Sequence, residues 1–248
     1  MVERGSVGAP GLLRLADDKT IPSVAMDFDN TFFDSISFFS ELFRQAQGKE
    51  YKRHMFTDPS WWHTFGFLTD AEEATFDKIY TSALTDVIRS NGFLPFRFGA
   101  HLLDELAEVT YVDFVTAVPR RLEPALKTLV ERAFTSKPKV LIVDSVEQKA
   151  VMPYDFYIDD SPKLAKAIQA YNKLKQRKFH KRCLMPAMPY NADIEEGNGV
   201  TRLPTPRDAI KLARKEAMAW TAARREPSLG ALAPRHADAA ATKSFLKG

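Results

Sequence analysis

Two aspartates one residue apart, Asp27 and Asp29, follow the short apolar segment Val24–Met26. An extended chain sends alternate side chains to opposite sides, so both carboxylates point one way and Phe28 points the other way. Two like charges held together at a strand end cost free energy unless a partner compensates them. Mg²⁺ is such a partner, since it binds carboxylates together with a substrate phosphate. The pair therefore predicts a metal centre or, alternatively, a plain turn in which Asp29 or Asn30 caps the next helix.

Polar residues also end two later apolar segments. Thr116 lies near the end of the predicted strand Thr110–Val118, and Asp159 and Asp160 directly follow Phe156–Ile158. Ligands bind parallel sheets outside the carboxyl ends of the strands, so we expect these side chains to converge with the first pair at one edge of one sheet. Taken singly, Thr116 is typical of an ordinary strand residue, and the second acidic pair is typical of a helix cap.

The elements that must position these residues follow from apolar spacing. Strands alternate with helices of ten or more residues, which predicts an α/β fold with a parallel sheet covered on both faces. The predicted helices are Phe32–Gln47, Ala71–Asn91, Ala100–Glu108, Leu122–Ala133, Pro162–Lys175 and Pro206–Arg225. The predicted strands are Val24–Met26, Thr110–Val118, Val140–Val143, Phe156–Ile158 and, as the last core strand, Arg182–Met185.

The composition of the 248 residues, 45% hydrophobic and 27% charged, is that of a soluble globular protein. No apolar run approaches the roughly 20 residues of a membrane span, and residues 1–10 have no hydrophobic signal core. The single cysteine, Cys183, excludes an internal disulfide framework and favours a reducing compartment. We therefore expect a cytoplasmic protein with no membrane partner. The formal charge of +3 does not favour nucleic acid as a partner.

Four motifs, taken together, resemble those of the haloacid dehalogenase (HAD)-like phosphatase superfamily. They are DFDNT at 27–31, Thr116, Lys149 and the pair Asp159-Asp160. The resemblance is closest to the 5'(3')-deoxyribonucleotidase family, which has segments similar to KAVMPYDFYIDDSP, PAMPYN and TRLPTPRDAI of this chain. It covers residues 22–205 and implies the HAD fold. That fold is a Rossmann-like three-layer α/β/α core with a parallel sheet and a small helical cap inserted after the first motif.

The resemblance implies a role for each motif residue. Asp27 is expected to attack phosphorus and form an aspartyl-phosphate, and Asp29 is expected to act as general acid and then as general base. Thr116 and Lys149 are expected to donate hydrogen bonds to the phosphoryl oxygens. The implied cofactor is Mg²⁺, which Asp29 would bind through its main-chain carbonyl. The expected metal ligands are Asp27, Asp29, Asp159 and Asp160.

Two positions depart from the family pattern. Asn30 stands where the deoxyribonucleotidases usually carry glycine, and Ala117 stands where a second hydroxyl is expected. Asparagine tolerates unusual backbone angles better than most residues, so the turn after Asp29 can survive. The departures therefore bear on the substrate rather than on the chemistry.

The resemblance implies a core at 21–34 and 94–226 and a helical cap segment at 35–93. It leaves both ends unexplained, and composition predicts an N-terminal lead-in at 1–20 and a flexible C-terminal tail at 227–248. The cap segment is rich in aromatic residues, which suit a flat slot for a nucleotide base. Stacking is worth about 1–3 kcal/mol per base. The alternative is that most of these rings form the cap's own small core. The expected substrate-binding residues are Phe33, Trp61, Trp62, Phe65 and Arg120.

These expectations describe a Mg²⁺-dependent phosphomonoesterase of nucleotide metabolism, a 5'-nucleotidase acting on a (deoxy)nucleoside monophosphate. One alternative keeps the chemistry and takes a polynucleotide end or a small non-nucleotide ester, and only the basic stretch 173–181 favours the polynucleotide. A second alternative is a non-catalytic binding or scaffold protein, against which stands the presence of every group that the chemistry needs. The preferred base, the sugar position and the oligomeric state, a homodimer included, stay open.

Overall fold

A computed structural model of the protein describes residues 21–92, 94–175 and 181–225. The predicted lead-in and tail, and most of the basic stretch 173–181, lie outside the described residues. Among the described residues, no helix combines the length and the apolar character that a membrane crossing requires.

Six parallel strands form one sheet in the order β3-β2-β1-β4-β5-β6. The strands are β1 Ser23–Met26, β2 Tyr111–Thr116, β3 Lys139–Ile142, β4 Phe156–Ile158, β5 Arg182–Pro186 and β6 Val200–Leu203. The predicted α/β class with a parallel sheet is confirmed. The strand order reverses between β1 and β4, so the connections after these two strands run in opposite directions. They leave a crevice at the carboxyl edge of the sheet, where ligands bind in folds of this kind.

Helices connect the strands and cover the sheet. They are α1 Ser35–Gln47, α2 Asp70–Arg89, α3 Ala100–Ala107, α4 Glu123–Ala133, α5 Val146–Val151, α6 Pro162–Lys175 and α7 Pro206–Arg225. Short 3₁₀ helices occur at Arg53–Met55, Trp61–Phe65, Arg120–Leu122 and Pro189–Asn191.

Alternate strand residues pack on opposite faces of the sheet, as a pleated strand requires. Met26 and Phe114 belong to a large apolar cluster on the face covered by α3, α4 and α7. Ala25, Tyr157 and Cys183 belong to a second cluster on the face covered by α5 and α6. The core is therefore three layered, α/β/α, and it holds the strand ends in fixed relative positions.

The chain between β1 and β2 is helical, as predicted for the cap segment. Its aromatic side chains pack on one another: the ring centroids of Phe39 and Tyr80 lie 5.2 Å apart, and those of Trp61 and Phe76 lie 5.3 Å apart. A capping box between Thr69 and Glu72 fixes the start of α2. Most aromatic residues of the segment therefore form its own core, as the alternative interpretation expected. The domain boundaries themselves stay a prediction.

The prediction that Arg182–Met185 is the last core strand is wrong. The strand β6 follows Gly199 and pairs in parallel with β5, with Val200 opposite Cys183. Only Val200 of its four residues is fully buried. A short edge strand of this kind lacks the apolar run by which buried strands are recognised. The helix α5 was also not predicted, and it matters because it carries Lys149.

Candidate active site

Three buried acids meet at the carboxyl edge of the sheet. Asp27 follows β1, and Asp159 and Asp160 follow β4, its neighbour in the sheet. One carboxylate oxygen from each acid lies within 4.8 Å of the other two. Thr116 ends β2, on the other side of β1, and lines the same cavity as Asp27. Three adjacent strands thus bring these side chains together, although they lie far apart in the sequence.

Lys149 is the cation among these acids. Its Nζ donates hydrogen bonds to Asp27 Oδ1 and to Asp159 Oδ2, each at 2.7 Å, and the side chain is only 2% exposed. Burial by itself lowers the pKa of Lys149, but the charges of Asp159 and Asp27 outweigh burial and raise this pKa above its ordinary value. Lys149 therefore carries a positive charge between two carboxylates.

The two acids after β4 are held by different partners. The hydroxyls of Thr31 and Tyr190 donate to the two oxygens of Asp160, and the main-chain N–H of Ser161 donates to Asp159 Oδ1. Burial raises the pKa of Asp160, and the charge of Asp27 raises it further. Burial also raises the pKa of Asp159, against the lowering effect of Lys149. Both carboxylates are therefore short of compensating positive charge.

The donor set of this cluster fits a divalent metal ion. Within residues 21–92, 94–175 and 181–225, Lys149 is the only cationic side chain paired with the three carboxylates, which leaves two formal negative charges. Clustered carboxylate oxygens are the ligands that Mg²⁺ and other hard cations prefer. Asp27, Asp159 and Asp160 can therefore bind a metal ion, and the cluster itself does not select which ion.

Asp29 lies beside this cluster rather than within it. Its carboxylate accepts hydrogen bonds from the hydroxyls of Tyr80, at 2.5 Å, and Ser35. Burial raises the pKa of Asp29 to about 6, although the hydrogen bonds from Ser35 and Tyr80 lower it. A carboxyl group with this pKa can both donate and accept a proton near neutral pH. Its ligation of a metal through the main-chain carbonyl stays a prediction.

The turn between the acids and α1 depends on Asn30. This residue has a φ of +54°, the left-handed region that asparagine tolerates. Its Oδ1 accepts a hydrogen bond from Ile36 N at 3.1 Å, and Arg97 Nη1 donates to its main-chain carbonyl at 2.9 Å. Asn30 thus adopts the unusual backbone conformation that an asparagine was expected, from the sequence, to tolerate here.

A cavity of about 380 Å³ opens above the acids. The core contributes residues that carry the expected chemistry: Asp27, Asp29, Thr116, Lys149 and Asp160. The cap segment contributes aromatic and acidic side chains: Trp61, Trp62, Glu73, Phe76, Asp77 and Tyr80. The predicted substrate-binding residues Trp61 and Trp62 therefore face the same space as the acids.

The structure does not bring the other predicted substrate-binding residues to the cavity. Phe33 packs in the core, with its ring centroid 5.4 Å from that of Phe28. Phe65 is buried in the aromatic cluster of the cap segment. Arg120 is exposed and forms an ion pair with Asp144. None of the three is among the described residues that line the cavity.

Two tyrosines contact the acids without having been predicted from the sequence. Tyr80 lies on the apolar face of α2 and reaches Asp29, and Tyr190 lies in the PAMPYN segment and reaches Asp160. No spacing rule connects either tyrosine to its acid. The only signal was that Tyr80 follows Phe76 by one helical turn, which predicts a buried face and not a polar contact.

Comparisons with known proteins find likeness only among solved structures. No family model matches the chain, and no curated protein matches it. CbbY from Rhodobacter sphaeroides in complex with phosphate has a TM-score of 0.49 and 15% identity, over 76% of this chain and 96% of that chain. A putative haloacid dehalogenase-like hydrolase from Burkholderia xenovorans LB400 has a TM-score of 0.48 and 12% identity, over 79% and 99%. At this level of similarity, neither structure assigns the chain a family or an activity.

Proposed function

We propose that this protein is a Mg²⁺-dependent phosphomonoesterase of the HAD-like type that hydrolyses (deoxy)nucleoside monophosphates. The observation that carries the proposal is the cluster of Asp27, Asp159 and Asp160, in which Lys149 pairs with Asp27 and Asp159. Asp27, Asp160 and Lys149 also line the cavity. Phosphoryl transfer needs a nucleophile, a proton donor and positive charge around the transferring group. The residues of this cavity supply the first two and can hold the third.

In the first step, Asp27 attacks the phosphorus of the ester. Lys149 Nζ donates a hydrogen bond to Oδ1 of Asp27, which leaves Oδ2 as the attacking oxygen. A bond forms between this oxygen and phosphorus while the bond from phosphorus to the ester oxygen breaks. Asp29 gives its proton to the departing alkoxide, so the alcohol leaves neutral. The products are the free alcohol and an aspartyl-phosphate on Asp27.

In the second step, water attacks the phosphorus of the aspartyl-phosphate. Asp29, now ionised, removes a proton from this water, and the bond between phosphorus and the Asp27 oxygen breaks. Inorganic phosphate leaves, and both aspartates return to their starting states. Thr116 and Lys149 donate hydrogen bonds to the phosphoryl oxygens in both steps.

The expected Mg²⁺ would be held by Asp27, Asp159 and Asp160. When bound, it would neutralise negative charge on the phosphoryl oxygens and on the acids around them. The fit rests on the donor set, three buried carboxylates of which Asp27 and Asp159 pair with Lys149.

The cap side of the cavity supports a nucleoside as the alcohol part of the substrate. Trp62 is partly buried, lines the cavity and lies against Phe76 with an interplanar angle of 20°. A base can stack on such a surface. Asp77 and Glu73 line the same side and can accept hydrogen bonds from the N–H groups of a base or the hydroxyls of a sugar.

A phosphate-release assay tests the proposal. The substrates are dTMP, dUMP, a 3'-phosphorylated oligonucleotide and a sugar phosphate, each with Mg²⁺ and with a chelator. We expect release from the mononucleotides with Mg²⁺ and none with chelator. A preference of about tenfold or more for the oligonucleotide or for the sugar phosphate would contradict the substrate class. Absence of release from all four would contradict the phosphatase activity and favour a binding or scaffold protein.

A further inference from the structure

One hydrogen bond joins α2 directly to the acids. The hydroxyl of Tyr80 donates to Asp29 Oδ1 at 2.5 Å, across 51 positions of the sequence. Tyr80 is 3% exposed and lines the cavity. The expected proton donor of the reaction is therefore in contact with a side chain from the cap segment.

The direction of this hydroxyl is set by the packing of the Tyr80 ring. The ring stacks on Phe39, with centroids 5.2 Å apart and an interplanar angle of 17°, and it also contacts Phe76. Phe39 is fully buried. Because a phenol oxygen lies in the plane of its ring, a fixed ring gives the oxygen a fixed position.

A second hydroxyl reaches the same carboxylate oxygen. Ser35, the first residue of α1 and fully buried, also donates to Asp29 Oδ1. Neither hydroxyl donates to Oδ2, and no other described residue donates a hydrogen bond to that oxygen. Two O–H groups donate to Oδ1, which leaves Oδ2 as the oxygen with room for a proton.

We propose that Tyr80 and Ser35 are positioning residues that select Oδ2 of Asp29 as the oxygen that carries the transferred proton. The inference rests on the proposed function, in which Asp29 protonates the leaving alkoxide. General acid catalysis contributes about 10²–10⁴ to rate and requires the donor to lie within hydrogen-bond reach of the leaving oxygen. An Asp29 side chain free to rotate would lose part of this contribution. Because Tyr80 lies on α2, the rate contribution of Asp29 as a general acid depends on how the cap segment packs.

The test compares two esters that differ in their need for a proton. p-Nitrophenyl phosphate has a leaving group that departs as a stable anion, whereas p-nitrobenzyl phosphate has an alkoxide leaving group that needs protonation. The quantity is kcat/KM, because it reports the steps up to the first irreversible one, transfer to Asp27. Tyr80→Phe is expected to lower kcat/KM about tenfold for the benzyl ester and less than about twofold for the aryl ester. Ser35→Ala removes the other donor and is expected to show the same contrast.

Tyr51→Phe is the matched control. It removes a hydroxyl from the same aromatic cluster, where Tyr51 donates to Gln47 at 2.6 Å away from the acids. We expect it to leave kcat/KM unchanged for both esters. The double variant Asp29→Asn with Tyr80→Phe should have the same kcat/KM for the benzyl ester as Asp29→Asn alone, because the proton donor is already absent.

The possible failures are distinguishable. Release of phosphate from both esters by the unaltered protein, combined with an equal loss on both in Tyr80→Phe and Ser35→Ala, would overturn this inference and leave the proposed function standing. A further loss in the double variant would overturn it as well. If the unaltered protein releases phosphate neither from these two esters nor from dTMP and dUMP, the proposed function fails and the inference fails with it.

Discussion

Lys149 Nζ lies 2.7 Å from Asp27 Oδ1, although 122 positions separate the two residues in the sequence. The contact exists because α5 begins just after β3 ends, at the same edge of the sheet where Asp27 follows β1. A buried lysine with two carboxylate partners stays charged, and the partners remain more negative than one lysine can balance. This imbalance is the physical basis of the proposed metal site and of the predictions below.

Asp27→Asn should abolish phosphate release while leaving the protein folded. The amide is a poor nucleophile, so we expect a loss of about 10³-fold or more. The melting temperature should change little, because Lys149 keeps its hydrogen bond to Asp159. The matched control is Asp113→Asn, since Asp113 is a buried acid on β2 that accepts a hydrogen bond from Tyr154 away from the site. If Asp27→Asn were as active as the unaltered protein, the proposed mechanism would be wrong.

Lys149→Met should destabilise the protein in the presence of a chelator. Removing one partner from a buried charge network costs about 3–5 kcal/mol, because the remaining charges lose their compensation. The measurement is urea unfolding with and without Mg²⁺, and Mg²⁺ should restore more stability to the variant than it adds to the unaltered protein. Lys166→Met, at an exposed position of α6, is the control. Equal losses in the two variants would contradict the assigned charge balance.

Mg²⁺ should raise the melting temperature of the unaltered protein, since an ion that binds only the folded state stabilises it by mass action. The gain at a hundredfold excess over Kd is about 2.7 kcal/mol. Asp160→Asn should shift the response to higher Mg²⁺ concentration, while Asp144→Asn, in an exposed ion pair with Arg120, should not. Thermal denaturation at a series of Mg²⁺ concentrations checks this. If the melting temperature of both variants responded to Mg²⁺ in the same way, the ion would not bind at Asp160.

Trp62→Leu should weaken the use of nucleoside monophosphates. Loss of one stacked base costs about 1–3 kcal/mol, which corresponds to a fall in kcat/KM of about 5- to 150-fold. Deoxyribose 5-phosphate has no base, so its kcat/KM in the same variant is the control and should not change. The measurement is steady-state phosphate release with both substrates. If both substrates lose equally, Trp62 supports the cap segment rather than a base.

Stability should rise with pH between about pH 8 and 10.5 because of Lys181. Burial lowers the pKa of this lysine from 10.5 to about 8, against the raising effect of Asp155. Within this window the unfolded chain binds more protons than the folded protein, so the free energy of unfolding increases with pH. Below pH 8 both states hold the proton, and the full cost of burying the charge is present. The measurement is the difference in unfolding free energy between the unaltered protein and Lys181→Met, which should grow across the window and would stay flat if the lysine were not desolvated.

The strand ends were predictable because parallel sheets impose strong constraints. The apolar segments before Asp27 and Asp159 indicated buried strands, and the alternation of strands and helices indicated that both strands end at the same edge. The resemblance added Lys149, for which no local pattern exists. The edge strand β6 was missed because Thr201 and Arg202 lack the apolar character of a buried strand.

The residue types and their order along the chain determined the α/β class, the positions of the acids at strand ends and the helical insert after the first acidic pair. Only the tertiary structure decided which side chains reach those acids. Tyr80 contacts Asp29 while Phe33, Phe65 and Arg120 lie away from the cavity. The physical reason is that the period of a strand or a helix fixes which face of its own element a residue occupies. Contacts between elements depend on how α2 packs over the sheet edge, and that packing is set by many apolar contacts at once.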